Sequence, residues 1–467
     1  MERWGINLSE VEQLGDSLEA FWGYFGQWTR TKTRDTSHYG FCYLSGLLRM
    51  DSKRNYANIG RQTDVPIQNM QHFMSNSPWS GPLLMSKVQE EVGRQDEFQS
   101  GSMLLLDESA DEKSGRRSVG TSRQHNGRLG KVDNCQVGVF LSYANNGYHT
   151  WVDGEVFIPE NWFTEEAAPR RKQAGIQSDR YFQTKPELGW QMIQRVQERG
   201  LPFAAVAFDT LYGRSAWLRD QLTATGLEYY ADVPADTKVY LEPPVIGVPQ
   251  NKRGPKAKKQ RVLSPKGMRV DRVRHNPDLL WHTVTLRPSE RGHLRADFAR
   301  RRIWTVRDDL TVVPEWLLIR RDGKRQTYTL SNAPANTPLV TMAQRKSQRY
   351  FIERSNQDAK TEIGWDEFQA TKLLAWEHQL AMTILASWFI THTRLDWAHR
   401  FEQDPDLLAE YEIDLLPRLS MANVRTMLLA AMPLPQLSSQ EAAYLVVKHL
   451  DNRTRSRKSR LRSGPSP

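Results

Sequence analysis

The chain has very little cysteine: Cys42 and Cys135 are the only two in 467 residues. Two cysteines cannot build a disulfide framework or a four-cysteine zinc site, and this usage fits a reducing cytoplasm. Long apolar runs are missing as well. The most apolar stretch, 373–390, is interrupted by Glu377 and His378. It falls short of a membrane span and reads as a buried helix. The opening residues, MERWGINLSE, place no apolar segment behind a basic end, so no signal peptide is expected. No internal repeat of fixed period is visible. With 39% hydrophobic and 25% charged residues the composition is that of a folded protein rather than a disordered, collagen-like or disulfide-stapled one. The length allows roughly two to four domains.

Acidic residues are in deficit. There are 64 Lys and Arg against 54 Asp and Glu, for a formal charge of +10. The excess is concentrated. Residues 252–274 hold ten basic side chains and one acid, and 453–462 hold six basic side chains and no acid, so the remainder of the chain is slightly negative. A compact body with two concentrated basic segments fits a polyanion partner. Lys258 and Lys259 in the first segment and Arg455 and Arg457 in the second are candidate phosphate contacts.

The first 95 residues read as helical. Within them, 51–74 (DSKRNYANIGRQTDVPIQNMQHFM) has the outline of two short helices joined by a tight turn. The first helix is expected to end near Gly60, and Thr63 or Asp64 to cap the second, with Pro66 in its first turn. That outline suits a helix-turn-helix DNA reader. From Met103 the pattern changes to strands. MLLL (103–106) ends in Asp107; CQVGVFLSY (135–143) and 148–157 flank Asn145-Asn146-Gly147 as a hairpin; 181–198 is helical. FAAVAF (203–208) ends in Asp209, 217–223 is helical, and 229–233 is a further strand. Strands joined by a crossover helix indicate an α/β fold with a mixed sheet and flanking helices. Residues 281–330 read as short strands of an inserted β-rich region that follows a basic stretch. Helical periodicity returns from 343 to 390, and the last part is helical before an extended basic tail. The expected divisions are 1–95, a helical DNA-binding region; 96–240, the first part of the core; 241–342, the insertion; 343–400, the second part of the core; and 401–467, a helical end with its tail.

Two acids therefore close separate apolar strands. Such a strand delivers its end to the open edge of the sheet, where α/β sites form. Two carboxylates brought together repel unless they share a cation, and their hard oxygens suit Mg²⁺ or Mn²⁺. A third element is RYFIERSNQDAKTEIG. At 100° per residue, Arg349, Glu353, Asn356 and Lys360 share one helix face, with Ile352, Ala359 and Ile363 beside it as anchors and Asp358 pointing away. Alone, this face also reads as a solvated surface with an Arg–Glu pair.

Taken together, Asp107, Asp209 and the spacing Arg349-x3-Glu353-x6-Lys360 resemble the DDE transposases of bacterial insertion sequences. The spacing matches three of the four members of their Tyr-Arg-Glu-Lys signature; the Tyr position falls on Lys346, and Tyr350 is out of register. The stretches DESADEKSGRRSVGTSRQHNGRLGKVDNCQ (107–136), FDTLYG around Asp209 and IERSNQDAK around Glu353 resemble the insertion sequence 701 family in particular. The resemblance implies an RNase H-like core in which Asp107, Asp209 and Glu353 are catalytic and hold two Mg²⁺ or Mn²⁺ ions. It also implies a β-rich insertion between the second Asp and the Glu, cleavage of double-stranded DNA at transposon ends, and joining of the 3′ ends to target DNA. A homodimer on terminal inverted repeats, in a nucleoid-associated setting, is the expected assembly. Arg349, Lys360 and Asn356 are expected to contact DNA, and Tyr212 or Trp281 to stack on a flipped base. Glu108 is expected to point to the other side of the strand. Lys113, Arg116, Arg123 and Lys131 form a basic loop that can grip the backbone, with Lys113, Arg123 and Lys131 the named contacts. His125 and Cys135 lack a companion pair for zinc. Two rival readings are an RNase H-like nuclease or resolvase and an inactive DNA-binding descendant of a transposase.

Overall fold

The computed structural model describes residues 4–127, 129–249, 258–289, 292–323, 325–401, 419–432 and 438–462. Five helices come first: α1 (Leu8–Phe25), α2 (Ser37–Arg49), α3 (Tyr56–Gln62), α4 (Ile67–Ser75) and α5 (Gly81–Arg94). The start of α1 is fixed by a capping box between Asn7 and Glu10. α3 and α4 are the two short helices expected from 51–74. Gly60 lies inside α3 rather than at its end, and its missing Cβ leaves room for the Val65 carbonyl, which a Cβ there would meet at 2.6 Å. The turn uses Asp64 at positive φ, and Pro66 takes the cap position of α4.

Four strands follow, β1 (Met103–Glu112), β2 (Ser122–Asn126), β3 (Lys131–Asn145) and β4 (Tyr148–Phe157). Asn146 and Gly147, both at positive φ, close the β3–β4 hairpin. Then come α6 (Ala168–Ala174), α7 (Lys185–Glu198), β5 (Ala205–Phe208), α8 (Thr210–Gly213), α9 (Ala216–Ala224) and β6 (Tyr229–Val233). α7 begins later than the apolar pattern suggests, because Thr184 and Glu187 form a capping box and Pro186 occupies the first turn. β7 (Lys238–Val239) closes this part, and the insertion contains β8 (Val245–Gly247), β9 (Arg261–Ser264), β10 (Met268–Arg269), α10 (Val270–Val273) and a meander of β11 (His282–Ser289), β12 (Gly292–Val306), β13 (Val312–Asp322) and β14 (Arg325–Ser331). The chain continues through α11 (Leu339–Ser347), α12 (Tyr350–Thr361), α13 (Leu373–Phe401), α14 (Met421–Ala431) and α15 (Ser439–Arg462).

The ten-stranded sheet runs β11-β12-β13-β14-β6-β5-β1-β3, with β2 and β4 pairing successive parts of β3. β1 is antiparallel to β3 and parallel to β5, and β5 is parallel to β6. The portion β4-β3-β1-β5-β6 is the RNase H-like mixed sheet expected from the resemblance. The insertion does not stand apart from it. β14 adds to β6 in antiparallel register, Tyr328 opposite Val233, so the meander prolongs the core sheet. Glu315 on β13, fully buried, accepts hydrogen bonds from Arg219 of α9 at 3.1 Å and from Tyr229 of β6 and Thr305 of β12. A buried carboxylate needs such partners, and this one fastens meander to core.

Helices cover both faces of β1. Residues alternate across a strand, so Leu106 and Glu108 face one side and Asp107 and Asp111 the other. α7 lies on the Leu106 side: a Cβ on Gly189 would collide with Leu106, and Lys185 pairs with Glu108 at 3.0 Å. α12 lies on the Asp107 side, where Lys360 pairs with Asp111 at 2.9 Å. α13, 29 residues long, contains the apolar stretch and packs against β4 and α5. No described helix is long and apolar enough to cross a membrane.

One expectation is corrected here. The basic residues 453–462 are not an extended tail but the second half of α15. Cations near a helix C-terminus face the negative end of its dipole, which offsets part of their mutual repulsion. Of the other basic segment, 261–264 and 268–273 are ordered as β9, β10 and α10; Lys252, Arg253 and Lys256 lie outside the described residues.

Candidate active site

β1 and β5 run parallel, with Leu106 opposite Phe208 as their last paired residues. Asp107 and Asp209 are the next residue on each strand. Neighbouring strands lie about 4.8 Å apart, so the two carboxylates leave the sheet side by side. β5 ends there, as the apolar run suggested. β1 does not: it continues to Glu112 against β3, and Asp107 sits at the point where β1 loses its parallel neighbour. Asp209 is also the N-cap of α8, accepting from the backbone N–H groups of Leu211 at 3.0 Å and Tyr212 at 3.4 Å. α8 is pressed against β6 because Gly213 carries no Cβ; one would collide with the Asp232 carbonyl.

The pair is electrostatically loaded. Burial pushes the Asp107 carboxyl well above the usual carboxylate range, the charges of Asp209 and Glu108 push it further, and Arg349 opposes them. Asp209 is raised too, by burial and then Glu108, against its two backbone hydrogen bonds and Arg349. Neighbouring acids that resist ionisation together are a site awaiting positive charge.

Glu353 stands on α12 as expected, in the first turn. Its carboxylate is not with the aspartates. It is 55% exposed and pairs with Nη2 of Arg349 at 2.8 Å, while Nε of Arg349 lies 3.0 Å from Asp232 on β6. Lys346 Nζ adds to Asp232 at 3.3 Å, and Thr329 donates to it at 2.6 Å. Among the described residues no three His, Cys, Asp or Glu side chains are grouped closely enough to hold a metal ion. The geometry thus brings Asp107 and Asp209 together, while Arg349, whose charge both aspartates feel, pairs with Glu353 and Asp232. Asp232 and Lys346 were missed in the sequence. The signals were an acid inside YYADV and the lysine standing where the signature has Tyr.

The remaining face residues of α12 serve the sheet. Asn356 accepts from the indole N–H of Trp151 on β4 at 3.0 Å. Lys360, expected on a phosphate, is committed to Asp111 and donates to the Ala110 carbonyl at 2.8 Å, so it straps α12 to β1. Tyr212 is corrected outright: at 0% exposure it is closed inside the fold and cannot stack on a base. The four basic residues do not form one loop. Lys113 is half-buried and donates to the Phe368 carbonyl at 3.1 Å, Arg116 and Arg123 are exposed, the latter on β2, and Lys131 opens β3 and pairs with Asp133 at 3.0 Å. Trp281 is half-buried, with the Arg321 guanidinium 4.4 Å from its ring centroid. Lys258 and Lys259 are exposed, as is Arg455 on α15, where Arg457 is half-buried.

A family model described as DDE superfamily endonuclease matches residues 24–293, more than half of the chain. The chain belongs to the DDE endonuclease superfamily. A probable transposase for insertion sequence element IS701 from Microchaete diplosiphon is 27% identical over 308 residues, covering 65% of this chain and 69% of the relative. The likeness to the DDE transposases of insertion sequences agrees with these comparisons. The matched region of this DDE protein includes both aspartates and ends before Glu353.

DDE endonucleases generally act with divalent metals. The donor set here fits such an ion: two adjacent carboxylates at the ends of the parallel pairing of β1 and β5, both with raised affinity for protons. Hard oxygen donors of this kind select Mg²⁺ or Mn²⁺ over softer metals.

Proposed function

We propose that this DDE enzyme is a transposase that cuts the ends of its own element and joins the freed 3′ ends to target DNA. The observation that carries the reading is the register of Asp107 and Asp209 on parallel β1 and β5, on a chain of the DDE superfamily. Asp107 and Asp209, together with Glu353 once it leaves Arg349, would hold the divalent ions. Bound there, the ions would lower the pKa of an attacking water or 3′-hydroxyl and stabilise the leaving oxygen.

The chain's own residues supply the frame. Lys360 and Asn356 fix α12 on β1 and β4, which sets where Glu353 can reach. Arg349 carries a guanidinium beside the acid pair, suited to hold a scissile phosphate in two-point contact once it leaves Glu353. The exposed face of α4, with Gln68, Asn69, Gln71 and His72, offers the amide and imidazole groups that read base edges. Lys258, Lys259 and Arg455 supply sequence-independent attraction. A homodimer on paired ends is the assembly that would hold two such sites for concerted joining.

The test is strand transfer. A precut duplex with a free 3′-hydroxyl at the element end is incubated with supercoiled plasmid and Mg²⁺. The reading requires joined product whose formation depends on that hydroxyl. A protein that nicks DNA but never joins a 3′ end is a nuclease of the same family instead.

A further inference from the structure

A groove of about 560 Å³ opens between α3, α4 and residues 368–372, the linker that leads into α13. Small-molecule sites are mostly apolar with a few polar groups. This groove is lined chiefly by amides and hydroxyls, and among the described residues no acid lines it. Gln71 on α4 and Gln369 on the linker are both exposed, and neither side chain has a hydrogen-bond partner among the described residues. Two cations line the groove as well. Arg61 donates to the amide oxygen of Asn58, and Lys372 to that of Asn76 at 2.6 Å. Both acceptors are neutral, and neither cation is in an ion pair among the described residues. Ile67, at the start of α4, adds an apolar side chain that is 38% exposed.

The linker is pinned on both sides of Gln369. Before it, Glu367 pairs with the Arg54 guanidinium at 3.6 Å and accepts from the Arg54 backbone N–H, and Lys113 donates to the Phe368 carbonyl at 3.1 Å. After it, the Thr371 carbonyl accepts from the backbone N–H of Val119 at 2.9 Å. Arg54 is itself buried just ahead of α3. Gln369 is therefore an exposed amide with no duty inside the fold, on a backbone already held in place. Such a group loses little freedom when it binds.

We propose that residues 369–372 belong to the DNA-reading surface, with Gln369 and Gln71 reading adenines in the major groove and Arg61 and Lys372 on nearby phosphates. The inference rests on the reading of α3 and α4 as a DNA reader, and adds a specificity residue from outside that motif. A glutamine amide matches N6 and N7 of adenine, and an apolar side chain such as Ile67 matches the methyl of thymine, so the set suits A·T pairs seen from the major groove. The partner is a duplex rather than an unpaired strand. The groove's two rings, Tyr56 and Phe368, pack edge to face with centroids 6.0 Å apart and neither stands exposed, so no ring is open for a base to stack on. Recognition is then fastened to the helix of Glu353, which the linker follows after one short 3-10 turn, Trp365–Glu367.

The experiment measures binding of the full chain, in chelator, to two labelled duplexes, the terminal repeat of the element and a random sequence of equal length. Gln369→Ala should weaken the repeat by about tenfold and leave the random duplex and the melting temperature unchanged. Lys372→Gln should weaken both duplexes alike. Replacing the adenines of the repeat one at a time with 7-deazaadenine, which lacks N7, should reveal a position that weakens the wild type and has no further effect on Gln369→Ala. Full repeat affinity in Gln369→Ala, equal loss on both duplexes, or the absence of such an adenine overturns the inference and leaves α4 to read alone. A wild type that binds repeat and random sequence equally overturns the reading beneath it, and the inference with it.

Discussion

Arg349 holds Glu353 by an ion pair of 2.8 Å, and the same guanidinium reaches Asp232 at 3.0 Å. The helix acid is thereby kept off the aspartate pair by the residue that sits four positions before it. Arg349 also lowers the proton affinity of Asp107 and Asp209, against the effect of burial. Replacing Arg349 with Ala should slow cleavage through loss of phosphate positioning, while calorimetry finds Mn²⁺ binding nearly unchanged. Loss of the metal in Arg349→Ala would mean that the arginine builds the site rather than orienting DNA in it.

Lys360 has a different expected phenotype. Its removal strands the Asp111 carboxylate, buried against α12, and breaking one partner of such a pair costs about 3–5 kcal/mol. Lys360→Ala should lower the melting temperature and reduce cleavage together. Lys360→Met combined with Asp111→Leu should recover much of the stability, because an apolar pair of similar volume replaces a buried ion pair at little cost. A single Lys360→Ala that melts like wild type while losing cleavage would return this lysine to the DNA surface.

The pH behaviour of Asp107 gives a third test. A carboxyl raised in the fold means that the native state binds more protons than the unfolded chain. Stability therefore falls as pH rises from the ordinary carboxylate range through the raised value, and the penalty is complete above it. Asp107→Asn removes that penalty. In chelator at neutral pH the variant should melt about 2 °C higher than wild type, and the gap should shrink as the pH approaches about 4. Added Mg²⁺ should stabilise the wild type and not the variant. A variant that melts lower at neutral pH contradicts the crowding of charge around Asp107.

Recognition and attraction should separate. Gln68→Ala or Gln71→Ala on the exposed face of α4 should weaken binding to the terminal repeat by about 1–3 kcal/mol, with little change on random duplex. Lys258→Ala with Lys259→Ala should weaken both alike, and the slope of log affinity against log salt should shallow by roughly 0.9 for each phosphate that is no longer neutralised. A salt titration on both DNAs reads the two effects. Selective loss of repeat binding in the lysine variant would place sequence reading in the insertion.

Much of this fold is legible in the sequence because local signals agree with the tertiary answer. AVAF and MLLL are apolar runs that end in acids, and both are buried strands of the central sheet. Asn146-Gly147 marks its hairpin. What is not legible depends on contacts distant in sequence. β2 is a polar edge strand without alternation, ordered by pairing with β3. The union of β14 with β6 joins residues nearly 100 positions apart. Helical spacing put Arg349, Glu353, Asn356 and Lys360 on one face, but only the packed structure shows Lys360 turned onto β1 and Asn356 onto Trp151. Tyr212 was expected at the site because it closely follows Asp209, yet α8 folds it inward. Nothing in the periodicity of 439–462 distinguishes an extended basic tail from the helix that forms.

If Asp107, Asp209 and Glu353 act together on DNA, cleavage of a labelled duplex bearing the element end must depend on all three. In Mg²⁺, Asp107→Ala, Asp209→Ala and Glu353→Ala should each abolish cutting while retaining end binding, chelator should do the same to wild type, and Glu108→Ala, on the α7 side of β1, should still cut. A Glu353→Ala protein that cuts at the wild-type rate would contradict the account and direct attention to Glu362, the acid at the far end of α12.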